Sequence, residues 1–191
     1  MTALHLPFDF RFIWAGAKLT FPFVRRGIVP EGIIDSILSC INFETLFYKA
    51  TSSYLLPRLI GLSRANSLLL TGATVSPESP YIKELYHQIL PTREAVYPAA
   101  KAFAEELAAS TSQVSIAYAK GLLQHPGDSP EENHLLDSRA MRLLGSSEDG
   151  AEGALSFKER RMPKFTGTLS KSPSPWYPWV IILTWFPFSQ R

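Results

Sequence analysis

The sequence predicts an α/β chain, with short extended segments near its start and a mainly α-helical C-terminal region. Two patterns carry that reading. From Phe8 to Phe12, apolar Phe8, Phe10 and Phe12 alternate with Asp9 and Arg11, the period of a half-buried strand. From Leu62 onward, apolar residues recur at helical spacing between recognisable helix starts and stops. With 191 residues, 46% of them hydrophobic, the chain can bury one good core, and a single domain is the expectation.

Taken in order, Leu19 to Val24 forms a second apolar strand, set to pair with or pack beside the first. The loop from Pro22 to Gly32 carries Pro22, Gly27, Pro30 and Gly32. Its backbone is therefore fixed by ring closure at some points and free to take positive φ at others, so it can hold one carboxylate, Glu31, rigidly. Ile33 to Thr51 is rich in apolar residues (Ile33, Ile34, Ile37, Leu38, Ile41, Phe43, Leu46 and Phe47), and periodicity does not choose between helix and strand there. Ser52 or Ser53 caps the next helix, with Pro57 in its first turn, where a missing N–H costs little. Ser63 to Leu70 reads as a helix stopped by Thr71-Gly72.

Thr92 caps a helix whose Val96, Ala99, Ala100, Phe103, Ala104 and Leu107 form a stripe expected to pack on the core. Ser112 to Gln124 continues with Val114, Ala117, Tyr118 and Leu122 and breaks at His125-Pro126-Gly127. Ser129-Pro130-Glu131-Glu132 is a capping box opening a helix that ends near Gly145. Ser170 to Pro178, rich in Ser, Pro and aromatics, reads as irregular tail.

Composition excludes several function classes. The net charge is +2 and the basic residues are scattered apart from Arg25-Arg26 and Arg160-Arg161, so nucleic acid is not an expected partner. Cys40 is the sole cysteine, which rules out an intrachain disulfide or a Cys-based metal site and suits a reducing compartment. Pro7, Asp9 and Arg11 interrupt any signal-peptide core. Val180 to Phe186 is apolar but bounded by Pro178 and Pro187, far short of the roughly 20 residues of a membrane span. His5, His87, His125 and His134 have no ligand spacing, and neither a Gly-x-Ser-x-Gly elbow nor a phosphate loop is present.

Three stretches together carry a family resemblance. Ala17-Lys18-Leu19-Thr20-Phe21-Pro22 through Pro30-Glu31-Gly32, joined to Ser52-Ser53-Tyr54-Leu55-Leu56-Pro57-Arg58-Leu59-Ile60-Gly61, resembles the middle of the crotonase (enoyl-CoA hydratase/isomerase) superfamily. Leu69-Leu70-Thr71-Gly72 with Val75-Ser76-Pro77-Glu78 is similar to a further segment. Ser147 to Gly167, with Asp149, Glu152, Gly153, Phe157, Glu159, Arg161, Pro163 and Phe165, is similar to the family's ending. The likeness runs over Met1 to Ile33 and Ser52 to Trp179. It implies an incomplete ββα-spiral core in 1–32 and 52–72, an insertion at 33–51, a helical remainder of the same domain in 73–167, and an irregular tail at 168–191. The insertion is read as translated non-coding sequence such as a retained intron, with a lid loop as the other reading. The start is read as truncated.

The resemblance implies an acyl-CoA substrate, no cofactor beyond the CoA of that substrate, and an oxyanion hole of two backbone N–H groups, here expected upstream of Met1. The positions matching the two glutamates of hydratases are Ala3 and Phe23, whereas Glu31 matches the single base of peroxisomal Δ3,Δ2-enoyl-CoA isomerases of fungal type. Such a carboxylate, made more basic by an apolar pocket, takes a proton from C2 of a 3-enoyl thioester and returns it at C4. Phe157 and Arg160 match positions that contact the CoA adenine. A homo-oligomer, trimer or hexamer, is implied. So is a peroxisomal location, although Ser189-Gln190-Arg191 is not a Ser-Lys-Leu-like ending. The other readings are an inactive fragment serving as an oligomer partner, and, third, a hydratase.

Overall fold

Residues 5–29 and 52–169 are described by a computed structural model of the chain; Ala3, Glu31, Cys40, the insertion at 33–51 and the tail from Ser170 lie outside them. The chain divides into two compact units, Met1–Lys101 and Ala102–Arg191. The boundary between them falls inside a helix, and two short strands within the 73–167 stretch belong to the first unit.

In the first unit, β1 (Phe12–Trp14) runs parallel to β4 (Gln88–Leu90), with Phe12 opposite Gln88, Ile13 opposite Ile89 and Trp14 opposite Leu90. β2 (Leu19–Thr20) lies antiparallel to β3 (Thr74–Val75). The two early strands, expected to be neighbours, are therefore in different sheets. A parallel pair needs a long crossover, and the chain between β1 and β4 supplies one that includes α1 (Ser52–Ile60) and α2 (Leu62–Leu69). The expected strand from Phe8 also begins only at Phe12. The Phe8 N–H turns back to the His5 carbonyl at 3.3 Å, and Phe8 and Phe10 are 64% and 50% exposed.

The core of this unit gathers Leu6, Leu19, Phe21, Phe23, Leu56, Ile60, Leu68, Ile82, Leu85 and Tyr86. Each fully buried side chain of this size contributes about 1.5–3 kcal/mol through apolar area removed from water. Helix α1 presents Ser52, Leu56 and Ile60 to that core, a spacing of one helical face. Pro57 lies well inside α1 rather than in its first turn, so the i−4 bond to the Ser53 carbonyl is forgone. Ser53 is exposed, and water can take that bond. Gly61, at φ 82°, separates α1 from α2, and Gly72, at φ 59°, follows the end of α2 as the sequence predicts, its N–H bonded to the Leu68 carbonyl at 3.1 Å.

Helix α3 (Val96–Ser110) starts just past Thr92, whose hydroxyl accepts the Ala95 N–H at 3.3 Å. Its apolar stripe is only half-covered: no residue of α3 is buried among the described residues, in contrast to the expectation that this face packs on the core. In the second unit, α4 (Gln113–Gln124), α5 (Pro130–Gly145) and α6 (Glu148–Glu159) open on Ser112, Ser129 and Ser147, each hydroxyl accepting a first-turn N–H. Val114, Tyr118 and Ala140 form their small core with Leu122 and Leu144 against it. The capping box at Ser129 is present in modified form, since Glu132 Oε2 accepts the Asp128 N–H at 2.9 Å.

Candidate functional site

The loop leading towards Glu31 leaves β2 beside β3 and dives into the core at Phe21, 0% exposed, and Phe23, 9% exposed. A single 3₁₀ turn follows, Val24–Arg26. The Phe23 carbonyl accepts both the Arg26 N–H at 2.9 Å and the Ile28 N–H at 3.1 Å, and Gly27 sits at φ 70°, in the left-handed region that glycine tolerates. From this turn the Arg25 Nε donates to the Thr71 carbonyl at 2.7 Å. The arginine stem crosses Gly72, where an added Cβ would stand 3.0 Å from Arg25 Cγ. Thr71 is held from both sides: its hydroxyl donates to the Ser67 carbonyl and accepts the Ala73 N–H at 3.1 Å. The Thr20 hydroxyl reaches the Gly72 carbonyl at 3.4 Å.

The loop is thus anchored up to Ile28, and Glu31 follows three positions later, outside the described residues. Of the two positions matching hydratase glutamates, Ala3 is likewise outside them, and Phe23 is a buried core aromatic.

A second polar cluster in this unit went unread in the sequence. Arg11 donates to the carbonyls of Leu6 at 2.6 Å, His5 at 3.0 Å and Leu85 at 3.3 Å. The Tyr86 hydroxyl lies 3.2 Å from His5 Nε2. Burial, with the Arg11 charge adding to it, lowers the His5 imidazole to about 4, and burial raises the Tyr86 phenol. His5 and Tyr86 line a cavity of about 360 Å³ with Phe8, Phe12 and Leu19. Because its members come from both ends of the unit, no local pattern could have revealed it.

The second unit brings Phe157 and Arg160 together on the last turn of α6. Phe157 is 88% exposed, and Arg160 ends the helix in the left-handed conformation at φ 55°. Phe157 is therefore not a core aromatic. The ion pairs here belong to the next residue: Arg161 grips Glu152 through two nitrogens at 2.6 and 2.9 Å and Glu159 at 2.6 Å. The Arg161 hydrogen bond, assisted by the Lys164 N–H at 2.7 Å, holds the Glu152 carboxyl down to about 2.

Asp149, 8% exposed, accepts the Ser112 hydroxyl at 2.6 Å and the N–H groups of Thr166 and Gly167, each at 3.0 Å. Burial alone would raise this carboxyl, but the Ser112, Gly167 and Thr166 donors outweigh it and keep it below its ordinary value. Gly167 has to be small, since a Cβ would stand 2.6 Å from Asp149 Oδ2. The acidic, basic and glycine residues of the Ser147 to Gly167 stretch bond one another, so Asp149, Glu152 and Arg161 act as a structural clasp. No cluster of metal-ligating side chains occurs among the described residues, and no helix there is long and apolar enough to cross a membrane.

Comparison with known proteins adds an independent line. The family model described as enoyl-CoA hydratase/isomerase matches residues 46–168. An enoyl-CoA hydratase AFT3-1 from Alternaria alternata is 36% identical over 166 residues, covering 87% of this chain and 50% of that protein. A 1,2-epoxyphenylacetyl-CoA isomerase from Escherichia coli (strain K12) is 28% identical over 156 residues, covering 79% of this chain and 50% of that protein. The chain thus spans about half the length of these curated relatives. Among solved structures, a probable enoyl-CoA hydratase/isomerase from Mycobacterium abscessus superposes with a TM-score of 0.71 at 30% identity, over 87% of this chain and 58% of that one.

Proposed function

Because the chain belongs to the enoyl-CoA hydratase/isomerase family and carries part of its α/β crotonase fold, we propose that it serves an enoyl-CoA isomerase, moving a 3-enoyl-CoA double bond to the 2-trans position with Glu31 as the only base. The observation that carries this reading is Phe23, packed in the core at 9% exposure where the resemblance puts a hydratase glutamate. Addition of water across a double bond needs one group to activate the water and another to protonate carbon. A buried phenyl ring can do neither. A double-bond shift needs less: one carboxylate accepts the C2 proton and delivers it to C4, and the same group is ready for the next turnover.

The loop held from Phe21 to Ile28 supports this reading in so far as Glu31 follows it three positions later in the sequence. Phe157 and Arg160, adjacent on the α6 end, are proposed to meet the CoA adenine, the ring by stacking and the guanidinium by charge. A homo-oligomer is proposed with it. Hydration is the second reading, favoured by the names of the Alternaria relatives.

The test incubates the purified chain with a 3-enoyl-CoA and, separately, with a 2-enoyl-CoA, following the absorbance of the conjugated thioester. Isomerisation is expected, with Glu31→Gln lowering kcat by roughly 10²–10⁴-fold, the usual range for a lost general base. Hydration of the 2-enoyl substrate without isomerisation of the 3-enoyl one would overturn the reading.

A further inference from the structure

The cavity of about 360 Å³ beside His5 and Tyr86 holds none of the residues assigned above to catalysis or to CoA. Its size falls within the range of about 300 to 1,000 Å³ usual for small-molecule sites. Its aromatic walls are held in place, since Phe10 and Phe12 pack against the His87 ring at centroid distances of 5.4 and 5.2 Å. Arg11 fixes the frame: its bonds to the Leu6, His5 and Leu85 carbonyls tie the stretch before β1 to the one before β4. A site framed in this way stands ready before a ligand enters, which lowers the ordering cost of binding.

The polar groups of the cavity are rich in donors. A neutral imidazole and a phenol carry one proton each, and the 3.2 Å contact between His5 Nε2 and the Tyr86 hydroxyl uses one of the two. The other is left to donate, from Nδ1 or from the hydroxyl, whichever tautomer is present. Lys18 lines the cavity, is exposed, and has no ion-pair partner among the described residues. Arg11 adds a second positive charge, offset in part by Asp9, and the lining itself contains no carboxylate. Negative charge and acceptor atoms therefore have to come from the molecule that enters. We propose that this cavity binds a small carboxylate with an apolar body, the carboxylate taken by Lys18 and the spare proton of the His5–Tyr86 pair, the apolar part by Phe8, Phe10 and Phe12. A neutral apolar molecule would leave those donors without partners, and a thioester would bring an uncharged carbonyl where the carboxylate belongs. The assignment goes beyond the isomerase reading and does not depend on it.

The experiment titrates the purified chain at neutral pH with octanoate, octan-1-ol and octanoyl-CoA, following heat by calorimetry and the His5 and Tyr86 ring signals by NMR. Octanoate is expected to bind with a Kd of the order of 1 mM and to shift both rings. The alcohol, which has the same body without the charge, is expected to bind about 5-fold more weakly or worse. Lys18→Gln changes an exposed side chain, so the melting temperature should hold while octanoate weakens by about 5-fold and the alcohol is unaffected. Octanoate that leaves both rings unshifted would overturn the proposal, as would the alcohol binding as tightly as the acid or wild-type affinity for octanoate in Lys18→Gln. So would octanoyl-CoA shifting the same two rings at lower concentration than the free acid, since the cavity would then belong to a thioester.

Discussion

Protonating His5 would set a cation beside the Arg11 guanidinium inside a half-buried pocket, and the ring resists it down to about pH 4. The folded-state value lies below the ordinary imidazole value of 6.5, so the unfolded chain binds the proton more readily between those limits. The stabilisation from keeping the ring neutral is fully present above about pH 6.5 and is lost as the pH falls towards 4. Denaturant melts should therefore show the first unit losing stability across that window, and His5→Gln should flatten the dependence. NMR titration of His5 gives the same answer directly, and an unshifted midpoint would refute it.

At the level of elements, the clasp closing on α6 makes a sharper prediction. Asp149 joins the start of α4, through Ser112, to the segment at Thr166 and Gly167. Asp149→Asn exchanges an acceptor for an amide that faces three donors, and Ser112→Ala removes both a helix cap and the carboxylate's hydroxyl partner. Each should cost about 1–3 kcal/mol in urea melts, the usual penalty for a buried polar group left without its bond.

The elements themselves were legible in the sequence where their signals are local. Ser129 and Gly72 punctuate helices by bonds within three or four residues as their positions predict, and Ser112 and Ser147 cap theirs in the same local way. Strand pairing was not legible, because Ile13 finds its partner in Ile89 and nothing local prescribes that choice. Nor was Arg25, whose partner is a backbone carbonyl 46 residues away and so carries no side-chain signature. Phe8 and Phe10 misled for the opposite reason, as a period-two pattern there coincides with a turn that Arg11 stabilises through carbonyls.

For the whole molecule, the question is what meets its exposed apolar surface. Phe157 at 88% and Met162 at 62% exposure project from the C-terminal end of α6 and the segment after it. Truncating Phe157 to alanine removes almost no buried area, so the melting temperature should hold, with any change inside about 0.5 kcal/mol. If the ring stacks on adenine as proposed, the same change should weaken CoA binding by roughly 1–3 kcal/mol, or about 5- to 150-fold in Kd by calorimetry, taking the value of base stacking on aromatics. A lower melting temperature with unchanged CoA affinity would assign the residue to packing between copies instead.

Beside that ring stands Arg160, the one non-glycine residue with positive φ among those described, at 55°. An L-amino acid held there costs about 1 kcal/mol that glycine would not. The helix consequently terminates on a residue ill suited to the bend, whereas the other left-handed corners among the described residues are glycines. Sequence drift that no longer needs a cation at this corner has a downhill route to glycine, so the guanidinium survives there only as long as something rewards its charge.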